Sequence, residues 1–161
     1  MQHYRSEAYS ARGSVGYLLK RAHTLLVDQL EAAVAASDIT ATQWVVLMYL
    51  RDGLAINASD LCVQLRHDSG ALTRVLDQLE ARGLVQRERS REDRRAVQLR
   101  LTPAGAETVT ALIPAVVDKL NYALRDFSRA EAAELNRLLT KLIGSLDASR
   151  DANKSEPERA A

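Results

Sequence analysis

The sequence predicts a mainly α-helical domain that carries one small β-hairpin. Three observations predict it. Several long stretches place apolar residues at three- and four-residue steps, the period of a helix with one buried face. Residues 96–101 alternate instead, with Val97, Leu99 and Leu101 on one side and Gln98 and Arg100 on the other, the period of a half-buried strand. Just before the hairpin, two short helical segments near 58–65 and 69–82 are joined by a tight polar turn, the layout of a helix-turn-helix.

Each element follows from local chemistry. Residues 1–12 are polar and are expected to be loose or to pack on a partner. From Ser14 a long helix carries Val15, Leu18, Leu19, Leu25, Leu26, Leu30 and Val34 on one face, a stripe wide enough to demand burial. Asp38-Ile39-Thr40 breaks it. Thr40 and Gln43 have the spacing of a capping box, opening a helix over 41–51. That helix is apolar nearly all round from Trp44 to Leu50, as a central core helix would be. Gly53 closes it, and residues 54–56 are expected to pair with the hairpin as a third strand.

Asn57 is a good N-cap for the helix over 58–65. The next helix places Leu72, Val75, Leu76 and Leu79 on one face. Gly83 ends it, because the position past a helix end often takes a left-handed backbone. Residues 84–89 read as a strand and 90–95 as a charged turn. Thr102-Pro103 is a cap followed by proline at the first helical position. The helix it opens contains Pro114, which removes a backbone donor and favours a kink. Ser128 and Glu131 form a second capping box for a last helix, whose stripe runs from Leu135 to Leu146. Residues 148–161 turn polar and are expected to be disordered.

A helix-turn-helix with an attached hairpin is a winged helix-turn-helix, a unit whose second helix can enter a DNA major groove. Charge supports this. Seven arginines stand against three acids between positions 82 and 100, while the whole chain carries only +1. The positive charge is gathered where a DNA backbone would lie. On the second helix Ser69, Gly70, Ala71, Thr73 and Arg74 lie opposite the apolar face. Hydroxyls suit phosphate or base edges, the methyls of Ala71 and Thr73 suit thymine, and Arg74 suits guanine or phosphate. The flanking apolar stripes exceed what one short winged unit can cover, which implies a two-fold dimer. The expected division is a dimerisation region over 1–36 and 103–147, a DNA-binding region over 37–102 and a tail over 148–161. The fold class is therefore a winged helix-turn-helix with N- and C-terminal dimerisation helices.

The segment DSGALTRVLDQLEARGLV, followed by DRRAVQLRLTPAG, resembles the MarR family of winged helix-turn-helix regulators. The resemblance covers the second helix, the wing and the start of the next helix, and the flanking helices fit the same layout. It implies a transcriptional regulator, most often a repressor, that binds a palindromic operator as a homodimer. It makes Arg95 the arginine that enters the minor groove, with Arg91 and Arg94 on phosphates. Asp93 would orient that guanidinium, and Asp68 is a second candidate partner for it. It also implies release of DNA by a small aromatic or phenolic acid in a cleft beside the dimer helices. Tyr17, His23, Trp44 and Met48 are the candidates, although Trp44 and Met48 also suit plain core positions.

Other classes find less support. Cys62 is the sole cysteine. It falls in the apolar set Leu61, Cys62 and Leu65, so a buried structural thiol is favoured over a redox-responsive regulator. No nucleophile elbow, phosphate loop or metal-binding helix is present, so neither an enzyme nor a bound cofactor or metal is expected. No apolar run reaches the roughly 20 residues of a membrane span, which fits a cytoplasmic protein. A winged-helix protein-interaction module remains an alternative, but it leaves the arginine-rich wing unexplained.

Overall fold

A computed structural model describes residues 3–89 and 97–155. It contains helices α1 (Val15–Val34), α2 (Ala41–Arg51), α3 (Ala58–Leu65) and α4 (Ser69–Ala81). Strands β1 (Val85–Arg89) and β2 (Val97–Leu101) follow, then α5 (Pro103–Ala123) and α6 (Arg129–Ser155). The chain forms two compact units, Met1–Leu120 and Asn121–Ala161.

In the first unit, helix starts are fixed by side chains. Ser14 accepts the Tyr17 N–H at 3.2 Å. The Tyr4 hydroxyl accepts the Val15 N–H at 2.9 Å, and its ring meets Tyr9 edge-on at 6.1 Å. The N-terminal segment is thus not loose: it folds as two short 3-10 turns, Ser6–Ala8 and Ala11–Gly13, and caps α1. Thr40 and Gln43 form the expected reciprocal box, each bond 3.1 Å long. Asn57 caps α3 through the Asp60 N–H at 2.8 Å. Capping of this kind satisfies backbone donors that a helix leaves unpaired at its start.

One core unites the winged region with its flanks. Val34 from α1, Val46 and Leu47 from α2, Leu61 from α3, and Leu72, Leu76 and Leu79 from α4 are buried together. Val85 and Leu99 of the hairpin and Val109 and Val116 of α5 belong to the same cluster. The apolar core therefore continues past residues 37 and 102 into α1 and α5. Most of the α1 stripe stays outside it: Leu18 and Leu25 are more than half exposed.

The hairpin pairs antiparallel, with Val85 opposite Leu101 and Arg89 opposite Val97. The expected third strand is absent, because the sheet has two strands only. Residues 54–56 give it one bond, from the Leu99 N–H to the Ile56 carbonyl at 2.8 Å. The flanking Leu54 and Ile56 side chains are exposed, so burial does not hold the segment in register.

The first turn of α5 is clamped onto the backbone between α4 and β1. The Thr102 N–H donates to the Leu84 carbonyl at 3.1 Å. The Thr102 hydroxyl donates to the Gly83 carbonyl at 2.6 Å and accepts the Gly105 N–H at 3.0 Å. Gly83 takes the expected left-handed backbone, with φ +68°. A Cβ on Gly105 would lie 2.0 Å from the Leu84 carbonyl oxygen, so only glycine permits this approach. α5 then continues through Pro114 as one helix.

In the second unit, Ser128 and Glu131 form the expected box. The Glu131 N–H donates to Ser128 Oγ at 3.2 Å, and the Ser128 N–H donates to the Glu131 carboxylate at 2.8 Å. That backbone bond, with the Ser128 hydroxyl, holds the Glu131 carboxyl below its usual value. Leu138, Ile143 and Leu146 are exposed along α6. The helix runs on to Ser155, so the tail expected from residue 148 is helical over its first part. Residues 148–155 contain neither Gly nor Pro, so no breaker stops the helix there.

Gly105→Ala is expected to lower unfolding stability by about 2–3 kcal/mol, the cost of forcing a methyl into a filled site. Urea unfolding at fixed protein concentration measures it, and an unchanged midpoint would contradict the close approach.

Candidate nucleic-acid interface

α4 presents its expected polar face to solvent. Ser69, Gly70, Thr73 and Arg74 are exposed, whereas Ala71 is half-buried. Thr73 returns its hydroxyl proton to the Ser69 carbonyl at 2.7 Å, leaving the oxygen able to accept and the methyl outward. Asp68 is the helix cap, accepting the Ala71 N–H at 2.8 Å. Its carboxylate is thereby committed to α4, where a helix N-terminus favours negative charge. Gly70 leaves room for that cap: a Cβ there would sit 3.3 Å from Asp68 Oδ1. The wing-tip candidates Arg91, Asp93, Arg94 and Arg95 lie outside the described residues.

The arginine cluster is less uniform than a count suggests. Arg87 on β1 reaches back to α4 and pairs with Asp77 at 2.7 Å and with Glu80. Arg100 pairs with Glu88 at 3.0 Å on the opposite face of the hairpin. Arg82 donates to the Asp38 carbonyl at 2.5 Å. These three arginines have internal partners, so positive charge for DNA rests with Arg74, Arg89 and the wing tip. Sequence reasoning missed these partners because the hairpin register and the facing of α4 decide them. The Asp77, Glu80 and Arg87 triad would have been legible only once strand and helix were placed side by side.

α4 is also tied to the start of α2. Gln43 is buried, and its amide donates to the Gln78 side-chain oxygen at 2.9 Å. Gln43 thus caps its own helix and holds α4 with the same side chain.

The four expected effector residues separate. His23 and Trp44 share a cleft of about 260 Å³ with Leu26, Val116 and Lys119. Its wall is apolar, with one cation at the edge. The Trp44 Nε1–H is buried and has no acceptor among the described residues, an arrangement that costs free energy unless something accepts it. Tyr17 lies elsewhere, in a depression with Lys20 and Arg21. Met48 packs against the core and lines neither site. His23 also borders a second cleft with Thr42 and His67. Cys62 on α3 is half-buried against the core.

A capped helix with an exposed polar face, backed by an antiparallel hairpin, defines a winged helix-turn-helix of the kind that regulates transcription. The sequence profile of the MarR family matches residues 37–96. MgrA of Staphylococcus aureus, an HTH-type transcriptional regulator, is 33% identical over 114 residues, covering 71% of this chain and 76% of that protein. E. coli MarR, solved with operator DNA, superposes with a TM-score of 0.70 at 32% identity, covering 80% of this chain and 92% of that one. Bordetella bronchiseptica BpsR, whose DNA binding is regulated by 6-hydroxynicotinic acid, superposes with a TM-score of 0.71 at 30% identity, covering 83% and 96%. The chain belongs to the MarR family of transcriptional regulators.

The cap role of Asp68 gives a discriminating prediction. Asp68→Ala should lower stability by about 1 kcal/mol, while Asp68→Asn, an equally good cap, should cost only a few tenths. Thermal denaturation checks this, and equal losses for both would show that the charge, not the cap, matters.

Proposed function

We propose that the protein is a homodimeric repressor that binds a palindromic operator and releases it when a small aromatic acid occupies the His23–Trp44 cleft. The exposed N-terminal half of α4 carries the proposal. Ser69, Gly70, Thr73 and Arg74 stand at the end of a helix that is held from several sides, which is the geometry direct base reading needs. Ala71, half-buried, contributes at most its methyl edge. The wing tip would add Arg95 in the minor groove, oriented by Asp93, with Arg91 and Arg94 on phosphates. The operator-bound E. coli relative supports this arrangement.

Dimerisation rests on surface that one chain leaves uncovered. Leu18 and Leu25 on α1, Val117 and Leu120 on α5, and Leu138, Ile143 and Leu146 on α6 are exposed. Apolar area of this kind marks an association surface. The dimerisation region is therefore 1–36 with 103–147, and the DNA-binding region is 37–102. Two recognition helices related by a two-fold axis would enter successive major grooves, about 10 bp apart. No single helix among the described residues is long and apolar enough to cross a membrane, and the proposed work places the protein in the cytoplasm.

Effector release follows from the cleft. Its apolar walls suit an aromatic ring, Lys119 suits a carboxylate, and the unpartnered Trp44 Nε1–H offers a donor. BpsR supplies the precedent for an aromatic acid. Trp44 is adjacent to Gln43, whose side chain holds α4. A ligand that shifts the first turns of α2 therefore reaches α4 through one hydrogen bond, with a coupling of about 1–3 kcal/mol expected. The half-burial of Cys62 favours a structural thiol.

Fluorescence anisotropy on the DNA upstream of the coding sequence tests the DNA-binding half. Tight, salt-dependent, sequence-preferring binding is expected, and Arg95→Ala should weaken it about 10- to 100-fold with the fold intact. Unchanged affinity would remove Arg95 from the interface. For the effector half, Trp44 is the only tryptophan, so its emission reports on the cleft. Titration with 6-hydroxynicotinate should change that emission and lower DNA affinity, and Lys119→Met should weaken the response about tenfold. A flat titration with this and related aromatic acids would contradict the assignment.

A further inference from the structure

Arg87 stands apart from the other arginines of the hairpin. Strand alternation turns it to the same side as Val85, which is buried, and its cross-strand neighbour Leu99 is buried as well. Both ends of its guanidinium are engaged: Nη2 donates to Asp77 Oδ1 at 2.7 Å and Nη1 to Glu80 Oε2. Its side chain is 32% exposed, against 57% for Asp77. A planar fork can bridge two carboxylates in this way, whereas an ammonium is a single point charge. The hydrogen bond to Asp77 is the main cause that raises the Arg87 pKa above the usual arginine value.

The position of Asp77 gives the pairing a functional meaning. It lies four residues beyond Thr73, one turn along the outward stripe of α4. A free carboxylate there would face the DNA backbone and repel it. Pairing neutralises it and draws it toward β1. The same bridge fixes the hairpin against the reading helix, so the wing tip is presented at a set angle to α4.

We infer that Arg87 is a positioning residue for DNA binding: by bridging Asp77 and Glu80 it locks the hairpin to α4 and withdraws Asp77 from the nucleic acid, while making no phosphate contact itself. The inference rests on the DNA-binding reading above. It assigns to the middle of the wing a role distinct from that of its tip.

The test uses the full chain and a duplex enriched from a random pool by the wild-type protein. Affinity is measured by anisotropy over a range of KCl concentrations for wild type, Arg87→Gln, Arg87→Lys and Asp77→Asn/Glu80→Gln. Arg87→Gln is expected to weaken binding at least tenfold while the slope of log affinity against log salt stays at the wild-type value. Arg87→Lys should not restore it. The double carboxylate variant, which keeps the arginine and carries the test should Arg87→Gln not fold, should lower the preference for the enriched duplex over random DNA about tenfold. A phosphate contact behaves differently: each one lost lowers the slope by about 0.9, near 2 for a two-fold dimer, and lysine largely replaces it. A slope change of that size, rescue by lysine, or unchanged affinity and preference overturns the positioning role. If the wild type enriches no duplex, the DNA-binding reading falls and this inference with it.

Discussion

The DNA-facing part of the molecule depends on one close approach, the first turn of α5 against the backbone that links α4 to β1. Thr102 donates from both its N–H and its hydroxyl to consecutive carbonyls, those of Leu84 and Gly83, and Gly105 leaves no atom between α5 and the Leu84 carbonyl. Three elements therefore meet at one point: the end of the reading helix, the start of the wing and the start of a long helix. Buried backbone groups must find partners, and here the partners are each other. A displacement of α5 along its axis cannot leave α4 and β1 where they were. That makes the junction the natural place for events on the long helices to be felt at the DNA surface.

α4 is held from its other sides by polar contacts rather than by the core alone. Gln78 meets the buried Gln43 of α2, Arg82 meets the carbonyl of Asp38, and Asp77 and Glu80 meet Arg87 of β1. Exposed ion pairs typically contribute only about 0–1 kcal/mol of stability. Their value here is directional: they set the angle between helix and hairpin, on which simultaneous reading of two grooves depends. The Gln43 contact is the one that borders the cleft, since its neighbours Thr42, Trp44 and Val45 line the two cavities beside α1. Ligand site and reading helix are thus separated by a single side chain.

Much of the fold was legible because it is written locally. The boxes at Thr40 and Ser128, the cap at Asn57 and the left-handed Gly83 each involve residues within a few positions, and all four formed as expected. What was not legible depends on distant parts of the chain. Tyr4 caps α1 from eleven residues away. The reason for glycine at 105 is a carbonyl on another element. The polar face of α4 was readable from its period, but the Asp68 cap was assigned to an arginine rather than to its own helix. The arginine-rich stretch was readable as positive charge, yet Arg82, Arg87 and Arg100 proved to have internal partners. Of the four cleft candidates, only His23 and Trp44 share a cavity, because residues on one helix stripe can face different neighbours along its length. The end of α6 was misjudged for the opposite reason: polar composition suggested disorder where nothing breaks the helix.

The central claim is that two copies read DNA together. The most direct measurement is to let the wild-type protein enrich duplexes from a fully random pool and to sequence what survives. The account predicts an inverted repeat whose half-sites are centred about one helical turn, 10–10.5 bp, apart. An enriched pool with a single asymmetric site, or no enriched sequence at all, would contradict it.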